Sequence, residues 1–159
     1  IRWGITTSRE TLQIAGHVAA AVDANTDLLI ANQYYPISGP CTEMCLLETA
    51  AQAMVDTASG RELLSGSAAA KGVAMDKTTG MEARIMGEAS IATCGMKISD
   101  VNEILEKLVS SYEGNYHKPP AGKRFQECYD VNTVKPTDEY LKVYDNVVKT
   151  LRDLGLAIK

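Results

Sequence analysis

Leu28-Leu29-Ile30-Ala31-Asn32-Gln33-Tyr34-Tyr35-Pro36 is a short apolar run that ends in two amides, two phenols and a proline. It is too short for a helix and is bounded by Pro36, so the pattern predicts a strand buried on both faces, as strands of a parallel sheet are. Parallel α/β folds place their ligands at the carboxyl ends of the strands. Asn32, Gln33, Tyr34 and Tyr35 therefore fall where a pocket is expected. The same residues fit a strand that ends in a polar turn with no chemistry, and the pattern alone leaves both readings open.

Upstream, Ile1-Arg2-Trp3-Gly4-Ile5-Thr6 alternates like a strand, and its start without a Met leads to the expectation of a piece of a longer polypeptide. Thr7-Ser8-Arg9-Glu10 has the form of a capping box, with Thr7 as the cap. The helix it opens is expected to carry an apolar stripe of Leu12, Ile14, Ala15, Val18, Ala19 and Val22. Strand, helix and buried strand in that order read as a parallel crossover unit.

Downstream, two prolines and a glycine make Pro36 to Cys41 irregular. Thr42 is the expected cap of a helix through about Ala58, with Glu43 placed to suit the helix dipole. A third strand is expected near Leu63 to Met75. Gly66 to Gly72 has the look of a phosphate loop but lacks its Gly-Lys-Ser/Thr ending, which argues against nucleotide binding. Thr78, Thr79 and Glu82 suit a polar site or, equally, the cap of a helix running from Met81 to about Thr93. Ser99 is the expected cap of a helix whose Val101, Ile104, Leu105, Leu108, Val109 and Tyr112 form one face. Gly114 to Pro136 reads as irregular. Thr137 then starts a last helix, with Tyr140, Val143, Tyr144, Val147, Val148, Leu151 and Leu154 as its stripe and Gly155 as its stop. Its tyrosines read as packing residues.

The composition, 159 residues with 45% hydrophobic and 23% charged, suits one ordinary core. A formal charge of -4 argues against nucleic acid or an anionic membrane as partner. Lys118, Lys123 and Arg124 gather positive charge in a loop that reads as a solvated connection. No membrane span and no charged leader with an apolar core is apparent, so a cytoplasmic location is expected. The four cysteines are expected to be reduced. Cys41 and Cys45, one helical turn apart, could hold a soft metal only if other ligands converged, and His17 and His117 are far from them in sequence, so two buried thiols are the expectation. Two clear strands, a third and about five helices cannot close an eight-stranded barrel. They form either a small open α/β unit or the completion of a sheet whose other strands lie elsewhere.

Several stretches resemble the monomethylamine methyltransferase family of methylotrophic methanogens along the whole chain. They are Ile1-Arg2-Trp3-Gly4, Asn32-Gln33-Tyr34-Tyr35-Pro36, Gly39 through Glu48, Asp56 through Glu62, Asp76 through Arg84 and Phe125 through Val131. The resemblance implies the final third of that enzyme: residues 1–95 as the last strands and helices of an eight-stranded (β/α) TIM-type barrel, and 96–159 as additional carboxyl-terminal helices. It implies transfer of a methyl group from monomethylamine to the cobalt of a separate corrinoid (cobalamin) protein, and a homo-oligomer, expected to be a hexamer. The family's electrophile, pyrrolysine, is implied to lie upstream, so this segment alone is expected to bind no cofactor or metal and to be inactive. By the family's pattern Gln33 and Tyr35 face the pyrrolysine ring. A neutral amide and a phenol can donate or accept there without imposing a fixed charge. Asn32 and Tyr34 point the other way if the strand alternates. Ile37-Ser38 departs from the family pattern beside the pocket, which leaves the exact amine open. Two further readings stand beside this one: a non-catalytic module that binds homologous subunits or the corrinoid protein, and a methyltransferase for a related methylated amine.

Overall fold

The computed structural model describes residues 5–158. The strand expected at the start falls mostly on residues outside that range, and Ile5 and Thr6 belong to no strand. The described elements are α1 (Arg9–Asn25), β1 (Ala31–Tyr34), α2 (Glu43–Ala58), β2 (Leu63–Ser67), α3 (Gly80–Thr93), α4 (Ile98–Tyr112), α5 (Phe125–Cys128), β3 (Tyr129–Asp130), β4 (Lys135–Pro136) and α6 (Asp138–Asp153).

Helix α2 is the axis of the molecule. Every residue from Met44 to Asp56 is buried, and α1, α3, α4, α6 and both strands of the parallel pair touch it. Its sequence explains how. Ala50, Ala51 and Ala53 let neighbours approach closely, while Leu46 and Met54 fill the space between them. Truncating Leu46 or Met54 to Ala would cost about 2–5 kcal/mol, since such a site collapses only partly. The core around α2 extends from Ile5 to Ile158 as one cluster.

β1 and β2 pair in parallel, joined by α2 as the crossover. Ala31 lies opposite Leu63, Asn32 opposite Leu64 and Gln33 opposite Ser65; the register then skips Gly66, so that Tyr34 lies opposite Ser67. Such a bulge bends the strand and re-aims the side chains beside it. β2 thus ends at Ser67, well before Met75. A 3-10 turn at Ala70–Gly72 follows it.

The apolar run before β1 differs from expectation. Leu28 and Leu29 are 64% and 74% exposed, the strand begins only at Ala31, and only its α2-facing side is covered. An apolar run signals that something covers it without saying what, and among the described residues nothing covers these two. Ile14 and Val18 on α1 are likewise more than half exposed, so the buried stripe of that helix narrows to Leu12 and Ala19. Two caps also move. Ser8, not Thr7, accepts from the Thr11 amide, because the Thr7 hydroxyl is drawn into the core. Lys97 precedes α4, leaving Ser99 inside its first turn.

Thr42, Thr79 and Thr137 cap α2, α3 and α6. The α6 stripe is buried at Tyr140, Tyr144, Val147, Val148 and Leu151 and stops at Gly155. The irregular segment between α4 and α6 contains α5 and the small antiparallel pair β3–β4. No helix among the described residues is long and apolar enough to cross a membrane.

Candidate active site

One face of α2 carries Glu48, Gln52 and Asp56, four residues apart and therefore stacked along the helix. All three are fully buried. A buried polar group costs free energy unless it is paired, and each of these reaches a different part of the β1 region. Glu48 accepts from the Thr7 hydroxyl at 2.6 Å, from the Ile37 and Ser38 amides at 3.0 and 3.2 Å, and from the Ser38 hydroxyl. The Gln52 carbonyl oxygen accepts from the Thr6 hydroxyl at 2.5 Å, and Thr6 Oγ1 in turn accepts from the Tyr35 amide at 2.9 Å. Asp56 accepts from the Asn32 amide and pairs with Arg61 at 3.0 Å. Burial pushes the Glu48 and Asp56 carboxyls up from their ordinary range. Hydrogen bonds oppose the shift at Glu48, and the Arg61 charge opposes it at Asp56. The column fixes β1 and the loop after it from behind.

The front of the strand is different. Gln33 is exposed and Tyr35 half-buried, while Asn32 and the fully buried Tyr34 face α2. The structure therefore places Gln33 and Tyr35 together on the open side and separates them from Asn32 and Tyr34, as strand alternation requires. Ser65 Oγ on β2 donates to Gln33 Oε1 at 3.0 Å. That bond fixes which end of the amide points away: Nε2 makes no hydrogen bond to a described residue and can donate. Burial pushes the Tyr34 phenol up, consistent with a packing role beside Asp56.

Tyr35 is positioned by the turn after β2. A side chain at Gly72 would come within 3.0 Å of the Tyr35 ring, and φ there is +69°, so only glycine fits both the space and the backbone. Ala70 and Lys71 just before it also have left-handed backbones, at φ 52° and 62°. Such conformations cost of order 1–3 kcal/mol each outside glycine and persist only when the surroundings dictate them. Here the Ala70 amide donates to the Ser38 carbonyl at 2.8 Å and the Lys71 amide to the Pro36 carbonyl at 2.9 Å. The turn is thus tied to the loop that follows Tyr35.

Other residues singled out in the sequence have structural work. Ile37 and Ser38 are buried and bonded to Glu48 behind the strand rather than lining its front. Thr79 and Glu82 form a closed capping box, and Glu82 also accepts from the Tyr140 hydroxyl at 2.5 Å. Cys41 and Cys45 are buried free thiols, and Cys45 Sγ lies 4.0 Å from Glu82 Oε1. Among the described residues no three His, Cys, Asp or Glu side chains converge as a metal would need. Lys123 is paired with Glu139 at 2.5 Å. Sequence reasoning did not single out the column on α2. Its signal was nevertheless present, as two acids and an amide at four-residue spacing in a helix whose other residues are mostly Ala, Leu, Met and Val.

The model of the family described as monomethylamine methyltransferase MtmB matches residues 1–156. Among curated relatives, MtmB2 of Methanosarcina barkeri is 66% identical over 98% of this chain, MtmB1 of Methanosarcina acetivorans 65% and MtmB of Methanosarcina mazei 64% over the same share. This chain belongs to the MtmB family. It spans about a third of the length of those relatives, 34% in each case. The crystal structure of the Methanosarcina barkeri MtmB superposes with a TM-score of 0.98 at 65% identity, over 99% of this chain and 35% of that one. A hydroxylamine complex of MtmB superposes equally well. At that similarity the front-facing Gln33 and Tyr35 sit on a backbone that MtmB shares.

Proposed function

We propose that this chain is the carboxyl-terminal part of an MtmB enzyme that transfers the methyl group of monomethylamine to the cobalt of a separate corrinoid protein. The observation that carries the reading is the open front of β1, where Gln33 and Tyr35 present neutral hydrogen-bonding groups in a chain 66% identical to MtmB2. In the net reaction the carbon–nitrogen bond of methylammonium breaks. The methyl carbon bonds to cobalt with the electron pair of Co(I), and the nitrogen keeps its own pair and leaves as ammonia.

Pyrrolysine, supplied from upstream in the same polypeptide, provides an electrophilic imine. The residues here suit it: the open face is neutral at Gln33, Ser65 and Tyr35, and Gly72 leaves room beside the Tyr35 ring. Gln33 Nε2, with its carbonyl end held by Ser65, donates a hydrogen bond toward that face. The Tyr35 hydroxyl, set by the Thr6–Gln52 relay behind its amide, donates or accepts beside it. Their work is to orient the methyl group toward the incoming cobalt, and positioning of this kind can supply several kcal/mol of barrier lowering.

On the same reading residues 1–95 supply the last strands and helices of a (β/α) barrel and 96–159 a helical segment behind it. The exposed Leu28, Leu29 and Leu63 beside a two-stranded sheet support further strands alongside. The segment alone is inactive, and the whole enzyme is a cytoplasmic homo-oligomer, a hexamer by the family's pattern. The test is methyl transfer from monomethylamine to reduced corrinoid protein by the full-length polypeptide carrying Gln33→Ala or Tyr35→Phe. Each is expected to slow turnover by about 10- to 100-fold. Unchanged turnover in both overturns the assignment.

A further inference from the structure

Ser38 is bonded on two sides, and the bonds lead to different parts of the molecule. Its amide, at 3.2 Å, and its hydroxyl both donate to Glu48 on α2, while its carbonyl accepts from the Ala70 amide at 2.8 Å in the turn after β2. That turn reaches Tyr35. Gly72 lies so close to the phenol ring that an added side-chain carbon would stand 3.0 and 3.3 Å from two of the ring carbons. Ala70 and Lys71 have left-handed backbones that only their surroundings can impose, and the bonds to the Ser38 and Pro36 carbonyls impose them. A shift of Ser38 would release the turn and, with it, the wall against the Tyr35 ring.

Glu48 keeps Ser38 from shifting. Four donors fill the acceptor positions of its two oxygens, the Thr7 hydroxyl and Ile37 amide on Oε1 and the Ser38 amide and hydroxyl on Oε2. Thr7, Ser38 and Glu48 are fully buried by the described residues alone, so these bonds need no further chain laid over them. Thr7 is anchored as well, since the Tyr112 and Tyr116 hydroxyls donate to its carbonyl at 3.0 and 2.9 Å. Burying a carboxylate costs free energy that an apolar side chain of similar size would not, but only a group with two acceptor oxygens answers four donors from two separate segments. One turn further along α2, Gln52 reaches the Tyr35 amide through Thr6. Successive turns of the helix thus hold the ring and the backbone of the same tyrosine. We infer that Glu48 is a positioning residue for methyl transfer, acting through Ser38 and the Ala70–Gly72 turn to aim the Tyr35 hydroxyl, an inference that rests on the function proposed above. Its effect must then disappear when Tyr35 has no hydroxyl to aim, which separates aiming from general support of the core.

The test is a double-variant cycle in the full-length enzyme, with Glu48→Gln and Tyr35→Phe singly and together, reading kcat and KM for methyl transfer to the corrinoid protein well below each unfolding transition. A glutamine keeps one acceptor oxygen and turns an amide donor toward two of the four donors. With Tyr35 intact, Glu48→Gln is expected to lower kcat at least about 10-fold while changing the KM for monomethylamine by less than about 3-fold. In the Tyr35→Phe background the same change is expected to lower kcat by less than about 2-fold. Ser38→Ala, which removes one hydroxyl donor and leaves the backbone bonds of the loop in place, carries the same cycle if the glutamine variant does not fold. Its expected loss is about 3-fold with Tyr35 intact and none in Tyr35→Phe. An equal loss in both backgrounds overturns the inference, because Glu48 would then support the site as a whole, and so does an unchanged kcat with Tyr35 intact. A Tyr35→Phe enzyme as fast as the unmodified one also overturns it, since no hydroxyl would need aiming. Absence of methyl transfer by the unmodified full-length enzyme would instead overturn the proposed function.

Discussion

Asn32 on β1 donates its side-chain amide at 3.1 Å to both carboxylate oxygens of Asp56 on α2, which also pairs with the nearly buried Arg61. Two positions further along the strand, buried Tyr34 packs beside the same carboxylate. Each alternate residue of β1 is thus locked to the helix behind it. Gln33 and Tyr35, on the opposite face, inherit their direction from those locks without spending their own hydrogen-bonding groups on them. On the function proposed above, that division would set the aim of the two front-facing side chains through residues on the other face of the strand.

Removing Asp56 should therefore be costly. In Asp56→Ala the Arg61 guanidinium, whose side chain is only 8% exposed, loses its counter-charge, and Asn32 loses both acceptors. Breaking a buried pair from one side costs about 3–5 kcal/mol because the remaining charge stays uncompensated. Asn32→Ala, which leaves the ion pair intact, should cost about 1 kcal/mol. Guanidinium unfolding midpoints of the full-length protein will show this order, and near-equal effects would mean that Arg61 finds water instead.

The buried carboxyls dictate an unusual pH dependence. Glu48 is held above its ordinary range by burial, so the folded chain binds its proton more tightly than the unfolded chain does. Between the ordinary glutamate range and the raised value the folded state carries more protons, and stability falls as pH rises; below that window both states are protonated and the penalty is absent. Unfolding midpoints measured from mildly acidic to neutral pH should decline, and Glu48→Gln should flatten the slope. At neutral pH the same variant should be less stable by about 1–3 kcal/mol, because an amide donor then meets the Ile37 and Ser38 amides. A wild-type profile that rises with pH would show that the four hydrogen bonds outweigh desolvation.

Glu82 poses the same question at the other end of the core. The Tyr140 hydroxyl donates to it at 2.5 Å, inside a capping box whose other donors come from Thr79. Tyr140→Phe removes one donor and leaves a fully buried carboxylate short of a partner, a loss of about 1–3 kcal/mol. Tyr144 also donates to a glutamate, Glu88, which water can reach, so Tyr144→Phe should cost less than about 1 kcal/mol. Thermal unfolding of the two variants side by side distinguishes them.

Much of this arrangement was readable from local pattern. Thr42 and Thr137 cap their helices where the sequence places them, and of the two readings open for Thr79 the structure shows the cap, because an N-cap bond is local and needs no distant partner. The pairing of Gln33 with Tyr35 on one face followed from strand alternation. What local pattern could not show was competition from afar. Thr7 fits a cap, but its hydroxyl goes to Glu48 on α2 and Ser8 takes its place. Leu28 and Leu29 have the composition of a buried strand, yet burial is a property of neighbours, and the described residues supply none. The α2 column was visible only as polar residues in an apolar helix, and its partners at Thr6, Asn32 and Ser38 lie on other elements.

Two glycines separate backbone effects on the site from effects on the fold. Gly72 has φ +69° and lies against Tyr35, so an added methyl group would meet the ring at 3.0 Å and impose a left-handed alanine. Gly87, inside α3, has nothing within 4 Å of the same added atom. Gly87→Ala should stabilise the protein by about 0.5–1 kcal/mol, since alanine loses less freedom than glycine in forming a helix. Gly72→Ala should cost about 1–2 kcal/mol for the left-handed conformation and, more tellingly, turn the Tyr35 ring aside. A displacement near 1 Å in a positioning residue can slow a reaction by about 100-fold, so the full-length Gly72→Ala enzyme should lose turnover far beyond its loss of stability. Methyl-transfer rates measured well below the unfolding transition decide the matter: normal turnover in Gly72→Ala would mean that Tyr35 is not held by this turn, and slow turnover in Gly87→Ala would mean that the helix, not the site, limits the rate.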